Sequence, residues 1–208
     1  MVQSFNPAGI RSALTLLRRP YLLVPHMAVS DIRAIPFDQL HQHGIKYMVF
    51  DKDNCLTAPY ADHIHADFQA AWSLCKQTFS PQNLLIVSNS AGTPDDINNK
   101  AAMDVERALG VQVLRHRDKK PACGNEILAH LGTEDPGQVA VVGDRLATDV
   151  VLANLNSMYS IWTRHIVTAK GDNAVAAVLR RAEHCIYDEL KKRGTQPPAH
   201  FLDKHFLK

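Results

Sequence analysis

From Ile45 onward the chain alternates short apolar runs with longer stretches in which apolar residues recur at helical spacing. That alternation predicts βαβ units and a parallel sheet. Strands are expected at about residues 45–50, 83–88, 111–114, 138–143 and 157–162. Helices are expected between and after them: over about 64–79 and 94–109, from Pro121 on, near Leu146, and over about 172–193. For the second of these, Thr93 reads as the N-cap, Pro94 as the first helical residue and Gly110 as the stop. The fold class is therefore α/β, an open parallel sheet with helices on both faces.

The pattern changes at both ends. Asn6 and Pro7 read as the N-cap and first residue of a helix that Pro20 closes. Ile10, Ala13, Leu14 and Leu17 share one face of it, and Arg11, Thr15, Arg18 and Arg19 the other. No acidic residue occurs before Asp31. Such a basic amphipathic segment suits an anionic membrane surface, or packing on the domain's own core, and both readings stay open. After the last helix, Gly194-Thr-Gln-Pro-Pro-Ala-His breaks helical structure and is expected to be an exposed extension. The expected organisation is an N-terminal amphipathic segment (1–40), an α/β domain (41–193) and a C-terminal extension (194–208).

At 208 residues and 46% hydrophobic, the chain suits one domain with a real core and flanking segments. A formal charge of +2 argues against nucleic-acid binding through a large basic surface. Cys55, Cys75, Cys123 and Cys185 lack CxxC or zinc-ribbon spacing, which fits a reducing compartment and neither disulfides nor structural zinc. No apolar stretch approaches the ~20 residues that a membrane-crossing helix needs.

The chemistry lies at the strand ends. Ile45–Phe50 stops at Asp51-Lys52-Asp53, two carboxyls at the C-terminal edge of a strand, where open parallel sheets bind ligands. Two anions this close resist joint ionisation unless a cation or a shared proton relieves them. The second strand ends in Ser88-Asn89-Ser90, donors suited to phosphate oxygens. The fourth ends in Gly143-Asp144-Arg145-Leu-Ala-Thr-Asp149, and Lys119-Lys120-Pro121 lies between them. The pairs His41/His43 and His63/His65 read as exposed loop residues rather than ligands. Cys55 and Cys123 lie near motifs in sequence but read as buried and inert.

In this order the four signals resemble the haloacid dehalogenase superfamily of phosphotransferases, over roughly residues 45–162. Asn54 and Cys55 depart from the small residue and Thr or Val usual after the second aspartate, although Asn tolerates a left-handed turn and Cys is compact. The strings Asp51-Lys-Asp-Asn-Cys-Leu-Thr57, Lys119-Lys-Pro-Ala-Cys123 and Gly143-Asp-Arg-Leu-Ala-Thr-Asp149 are similar, more narrowly, to its mitochondrial phosphatidylglycerophosphate phosphatases.

The resemblance implies a capless, Rossmann-like fold, since Asp51–Ser88 and Ser88–Lys120 leave no room for a cap domain. It implies Asp51 as nucleophile, Asp53 as general acid/base, Ser88 and Asn89 as phosphate-binding groups, and Lys120 as the charge stabiliser in preference to Lys119. Mg2+ is implied on Asp51, the main-chain carbonyl of Asp53 and Asp144, with Asp149 beside them orienting water or Lys120. Arg145 reads as forming a salt bridge in preference to touching substrate. An open site suits a phospholipid substrate at an anionic membrane surface, and the implied place is the matrix side of the mitochondrial inner membrane. The Arg-containing, acid-free start is also similar to a mitochondrial targeting sequence. A soluble phosphatase for small metabolites and a catalytically idle membrane adaptor are the alternatives.

Overall fold

The computed structural model describes residues 18–168 and 174–206. Its sheet comprises β1 (Met27–Val29), β2 (Tyr47–Phe50), β3 (Leu84–Ile86), β4 (Gln112–Val113), β5 (Val139–Gly143) and β6 (Tyr159–Thr163). The order is β1-β6-β5-β2-β3-β4, and every pairing is parallel. β1 lies outside the predicted set. Met27-Ala28-Val29 is an apolar run too short to signal a strand by itself, and pairing with β6 supplies what local sequence does not.

The order reverses between β2 and β5. From β2 the chain moves to β3 and β4 on one side, and from β5 it moves to β6 on the other. Loops leaving the carboxyl ends of β2 and β5 therefore diverge and open a crevice, the usual ligand position in such sheets. Register levels the two ends, with Phe50 opposite Val142 and the Asp51 amide donating to the Val142 carbonyl at 2.8 Å.

Alternation along the strands covers both faces. Met48, Phe50, Leu84, Ile86, Ala140 and Val142 pack with Trp72, Cys75 and Phe79 of helix Gln69–Phe79, with Ala102, Val105 and Leu109 of helix Lys100–Leu109, and with Phe37 and Leu40 of helix Phe37–Gln42. Val49, Leu85, Val139 and Val141 pack with Ile127 of helix Gly124–Leu131 and Leu152 of helix Val151–Leu155. Tyr187 and Leu190 of helix Ala174–Lys192 join Trp162 and Val150 in a third cluster. No domain is inserted between β2 and β3, or between β3 and Lys120.

The second predicted helix starts six residues late, at Lys100. Thr93 is not its cap, because the hydroxyl donates to the Ser90 carbonyl at 3.2 Å. Asp96 does that work, its carboxylate accepting from the amides of Gly92, Ala101 and Ala102, each at 2.9 Å. Asn98 and Asn99 turn left-handed between them, at φ 56° and 54°. Asp and Asn bond neighbouring backbone more readily than they continue a helix, so the helix waits until Lys100.

Both ends belong to the core further than the pattern predicts. Leu22, Leu23, Val24, Ile32, Ile35, Phe37 and Leu40 are buried, so the described part of residues 1–40 carries core residues and a strand. The basic amphipathic helix read over residues 7–19 lies outside the described residues except for its last two positions. The C-terminal extension is not freely exposed, since Leu202 is buried and His200 Nε2 hydrogen-bonds with the Gly137 carbonyl at 3.0 Å. His26 Nε2 likewise bonds with the Pro198 carbonyl at 2.8 Å. Among the described residues no helix is long and apolar enough to cross a membrane.

Candidate active site

The crevice beyond β2 and β5 is a cleft of about 240 Å³ lined by residues from each of the four strand-end signals. Asp51 follows β2 directly, Ser88 and Asn89 stand two and three residues past β3, and Asp144 follows β5. Lys120 arrives from the loop between β4 and helix Gly124–Leu131, its main-chain amide donating to Asn89 Oδ1 at 2.8 Å. That bond holds the amide oxygen of Asn89 toward the protein and leaves its NH2 group for the cleft.

Lys120 lies at the centre. Its ammonium, on a side chain only 3% exposed, donates to Asp51 Oδ1 and pairs with Asp149 Oδ1 at 2.7 Å. Burial alone would pull this group down, but Asp149 and Asp51 outweigh it and hold the pKa above the ordinary lysine value. Lys119 takes no part. It pairs with Asp95 at 2.6 Å on the surface.

Asp51, Asp144 and Asp149 each present a carboxylate oxygen within 4.8 Å of the others. Burial raises Asp51 to about 6, with the charges of Asp149 and Asp53 acting in the same direction and Lys120 opposing them. Asp144 is raised to about 8, again by burial and then by Asp51 and Asp149. Three carboxylates that repel one another, Asp144 and Asp149 buried and Asp51 half-buried, fit a hard, oxygen-preferring divalent cation such as Mg2+. His41, His43, His63 and His65 belong to no such cluster among the described residues. The carboxyl of Asp53 stands outside the three as well. It accepts from Lys52 Nζ at 2.6 Å and from the Tyr60 amide at 3.0 Å, on the cleft wall.

Between about pH 4 and pH 8 the folded protein keeps protons on Asp51 and Asp144 that an unfolded aspartate has released, so these two groups lower stability as pH rises. A divalent cation binds the ionised carboxylates and gains on protons over the same interval. In thermal melts, chelator-treated protein should lose stability from about pH 5 to about pH 8, and Mg2+ should raise the midpoint more at the higher pH. Equal shifts at both values would mean that these carboxylates do not hold the ion.

Local sequence explains the geometry. Asn54 supplies the left-handed turn after Asp53, at φ 63°. Gly143 ends β5 because a Cβ there would stand 2.3 Å from Cγ of Asp149, which folds back over it. Gly143→Ala is expected to push Asp149 off Lys120 and to lower turnover at least about tenfold, on the scale of a misplaced catalytic group. Near-wild-type kinetics would show that Asp149 need not stand where it does. Behind the other wall, Ser88 Oγ accepts from the amides of Ser90 and Ala91 at 3.2 and 3.3 Å. His116 Nε2 bonds with the Ser88 carbonyl at 3.0 Å and fixes that loop.

The sequence reading missed Arg180 and Glu183. Both lie on the buried side of helix Ala174–Lys192 with Tyr187 and Leu190. Arg180 Nε donates to Asp144 Oδ2 at 2.7 Å, and Glu183 accepts from the amides of Leu146 and Ala147 at 3.1 and 2.9 Å. Charged residues at core spacing on an otherwise apolar stripe were the available signal. Tyr60 and Pro59 form the mouth of the cleft, with Tyr60 77% exposed. Cys55 and Cys123 are buried, and burial pushes the thiols up, well above the ordinary value for Cys55 and to about 11 for Cys123. Neither is poised as a thiolate.

Comparison with known proteins adds identity to this geometry. Residues 8–168 match the family described as Mitochondrial PGP phosphatase. The chain is 40% identical over 163 residues to the mitochondrial phosphatidylglycerophosphatase GEP4 of Saccharomyces cerevisiae, covering 76% of this chain and 87% of that protein. It is 37% identical over 206 residues to the chloroplastic phosphatidylglycerophosphate phosphatase 1 of Chlamydomonas reinhardtii, covering 98% and 76%. A probable mitochondrial phosphatidylglycerophosphatase of Schizosaccharomyces pombe is 28% identical over 206 residues, covering 93% and 95%.

Proposed function

The chain belongs to the Mitochondrial PGP phosphatase family, and on that premise we propose that it hydrolyses phosphatidylglycerophosphate to phosphatidylglycerol, a step toward cardiolipin, with Mg2+ and an aspartyl-phosphate intermediate. The observation that carries the mechanism is the meeting of Asp51, Lys120, Asp144 and Asp149 in one cleft beside Ser88 and Asn89.

In this reading a carboxylate oxygen of Asp51 attacks phosphorus while the ester P–O bond breaks, and Asp53 gives its proton to the departing alkoxide. Water then attacks the phosphorus of the aspartyl-phosphate and yields its proton to Asp53, which frees phosphate and restores Asp51. Ser88 and the NH2 of Asn89 orient the phosphoryl oxygens, and Lys120 offsets the charge of nucleophile and phosphoryl group together. Asp51, Asp144 and the main-chain carbonyl of Asp53 would hold Mg2+, with Asp149 beside them. When bound, the ion supplies positive charge to the phosphoryl oxygens and keeps Asp51 ionised at neutral pH. Among the described residues no cap covers the mouth at Tyr60, which lets a headgroup enter from a bilayer.

The enzyme works in this account as a peripheral protein on an anionic membrane surface, the matrix side of the mitochondrial inner membrane, with the basic segment before Pro20 as its contact. Flotation with anionic vesicles tests the contact on a chain lacking residues 1–17, which spares the core residues from Leu22 on. Undiminished flotation would reject it. The function is tested by phosphate release from detergent-dispersed phosphatidylglycerophosphate and from small monoesters, with Mg2+ and with chelator. Metal-dependent release favouring the lipid is expected. Preference for small metabolites would replace the substrate, and release unaffected by chelator would remove the metal.

A further inference from the structure

The cations lining the cleft and beside it are not equally engaged. Lys120 pairs with Asp51 and Asp149, Arg180 with Asp144, and Lys52 with Asp53. Arg145 lines the same cleft and is half-buried, yet among the described residues its guanidinium has no hydrogen-bond or ion-pair partner. Its main-chain amide, by contrast, donates to Asp149 Oδ2 at 3.2 Å, so the backbone beneath it is fixed. The salt bridge expected from the sequence is not formed. The charges of Asp144 and Glu183 act on it from nearby but neither closes a hydrogen bond to it, so its N–H donors remain for an anion in the cleft it lines.

Sheet order says where that anion lies. Ser88, Asn89 and Lys120 reach the cleft from the β3 and β4 side of Asp51, whereas Arg145 follows β5 on the opposite side. The first set already suffices for one phosphoryl group on the nucleophile. We propose that Arg145 is a second anion subsite, which binds the phosphodiester that the substrate carries one glycerol away from its scissile monoester. This rests on the reading above and narrows it: the preferred substrates are phosphate monoesters with a second phosphate on the same small polyol. A guanidinium fork suits such a group through two parallel N–H···O bonds.

The test uses two soluble substrates whose scissile phosphate sits on a primary glycerol carbon in both, glycerol 3-phosphate, which releases glycerol, and glycerophosphoglycerophosphate, which releases glycerophosphoglycerol. The second carries the extra phosphodiester and neither carries an acyl chain, so no neighbouring lipid can supply the anion. The readout is the ratio of kcat/KM on the second to that on the first. Wild type is expected to favour the two-phosphate substrate, and Arg145→Ala to lower the ratio by about 10–100-fold, the range for a charge-assisted hydrogen bond. Arg145→Lys, which retains the charge without the fork, should recover part of it. A ratio unchanged in Arg145→Ala overturns the subsite whether or not both activities fall together. So does a wild type that hydrolyses the lipid in detergent without preferring the two-phosphate headgroup, an outcome that leaves the phosphatase reading intact. Failure to hydrolyse the lipid at all would instead remove that reading.

Discussion

Asp51→Asn should abolish hydrolysis, lowering kcat by about four orders of magnitude or more, because an amide neither attacks phosphorus nor carries the negative charge that Lys120 balances. The fold should survive. Asp51 is half-buried and repelled by Asp149 and Asp53, which is why its pKa rises to about 6, and an isosteric amide removes that repulsion while Lys120 keeps Asp149 as a partner. Thermal melts alongside phosphate release therefore distinguish the cases. Lost activity with an unchanged or raised midpoint in metal-free protein is expected. Lost activity with a collapsed midpoint would assign Asp51 a structural role, and retained activity would remove it from the chemistry.

The second large effect falls on Lys120. Lys120→Met keeps the length of the side chain but leaves Asp51 and Asp149 without their shared cation. Removing one partner of a buried ion pair costs about 3–5 kcal/mol, and removing a charge stabiliser from a phosphoryl-transfer site costs about 100–1,000-fold in kcat. The two losses depend differently on conditions. Protonation relieves stranded carboxylates, so the stability deficit in denaturant titrations should be smaller near pH 5 than near pH 8. The activity deficit should persist wherever the enzyme works. A variant as stable as wild type at both pH values would show that the ammonium does not hold the cluster together. Lys119→Met offers the contrast, since its surface pair with Asp95 is worth about 1 kcal/mol or less.

What could be read from the sequence followed from position. Asp51, Ser88, Asn89 and Asp144 stand at or just past strands whose apolar runs announce them, so locating the strands located the residues. Lys120 was placed by the family's Lys-Pro pattern, and the fold supplies the contacts with Asp51 and Asp149 that the resemblance implied. Groups brought in from remote chain were harder. Arg180 meets Asp144 only because helix Ala174–Lys192 packs across the end of β5, and no local pattern foretells that crossing. β1 escaped for a related reason, because its three residues become a strand through β6 rather than through their own propensity. The late start of helix Lys100–Leu109 shows local chemistry defeating a plausible signal: Pro94 fits a first helical turn, but Asp96 and the two left-handed asparagines fit a loop better.

The central claim is covalent, that the side chain of residue 51 carries the phosphoryl group during turnover. It is tested most directly by quenching the wild-type enzyme with borohydride while it hydrolyses phosphatidylglycerophosphate in Mg2+, then sequencing its peptides for reduced acyl phosphate. Reduction confined to position 51, and absent at Asp53, Asp144 and Asp149, is the predicted result. Reduction at another carboxylate, or brisk phosphate release with residue 51 never modified, would contradict it.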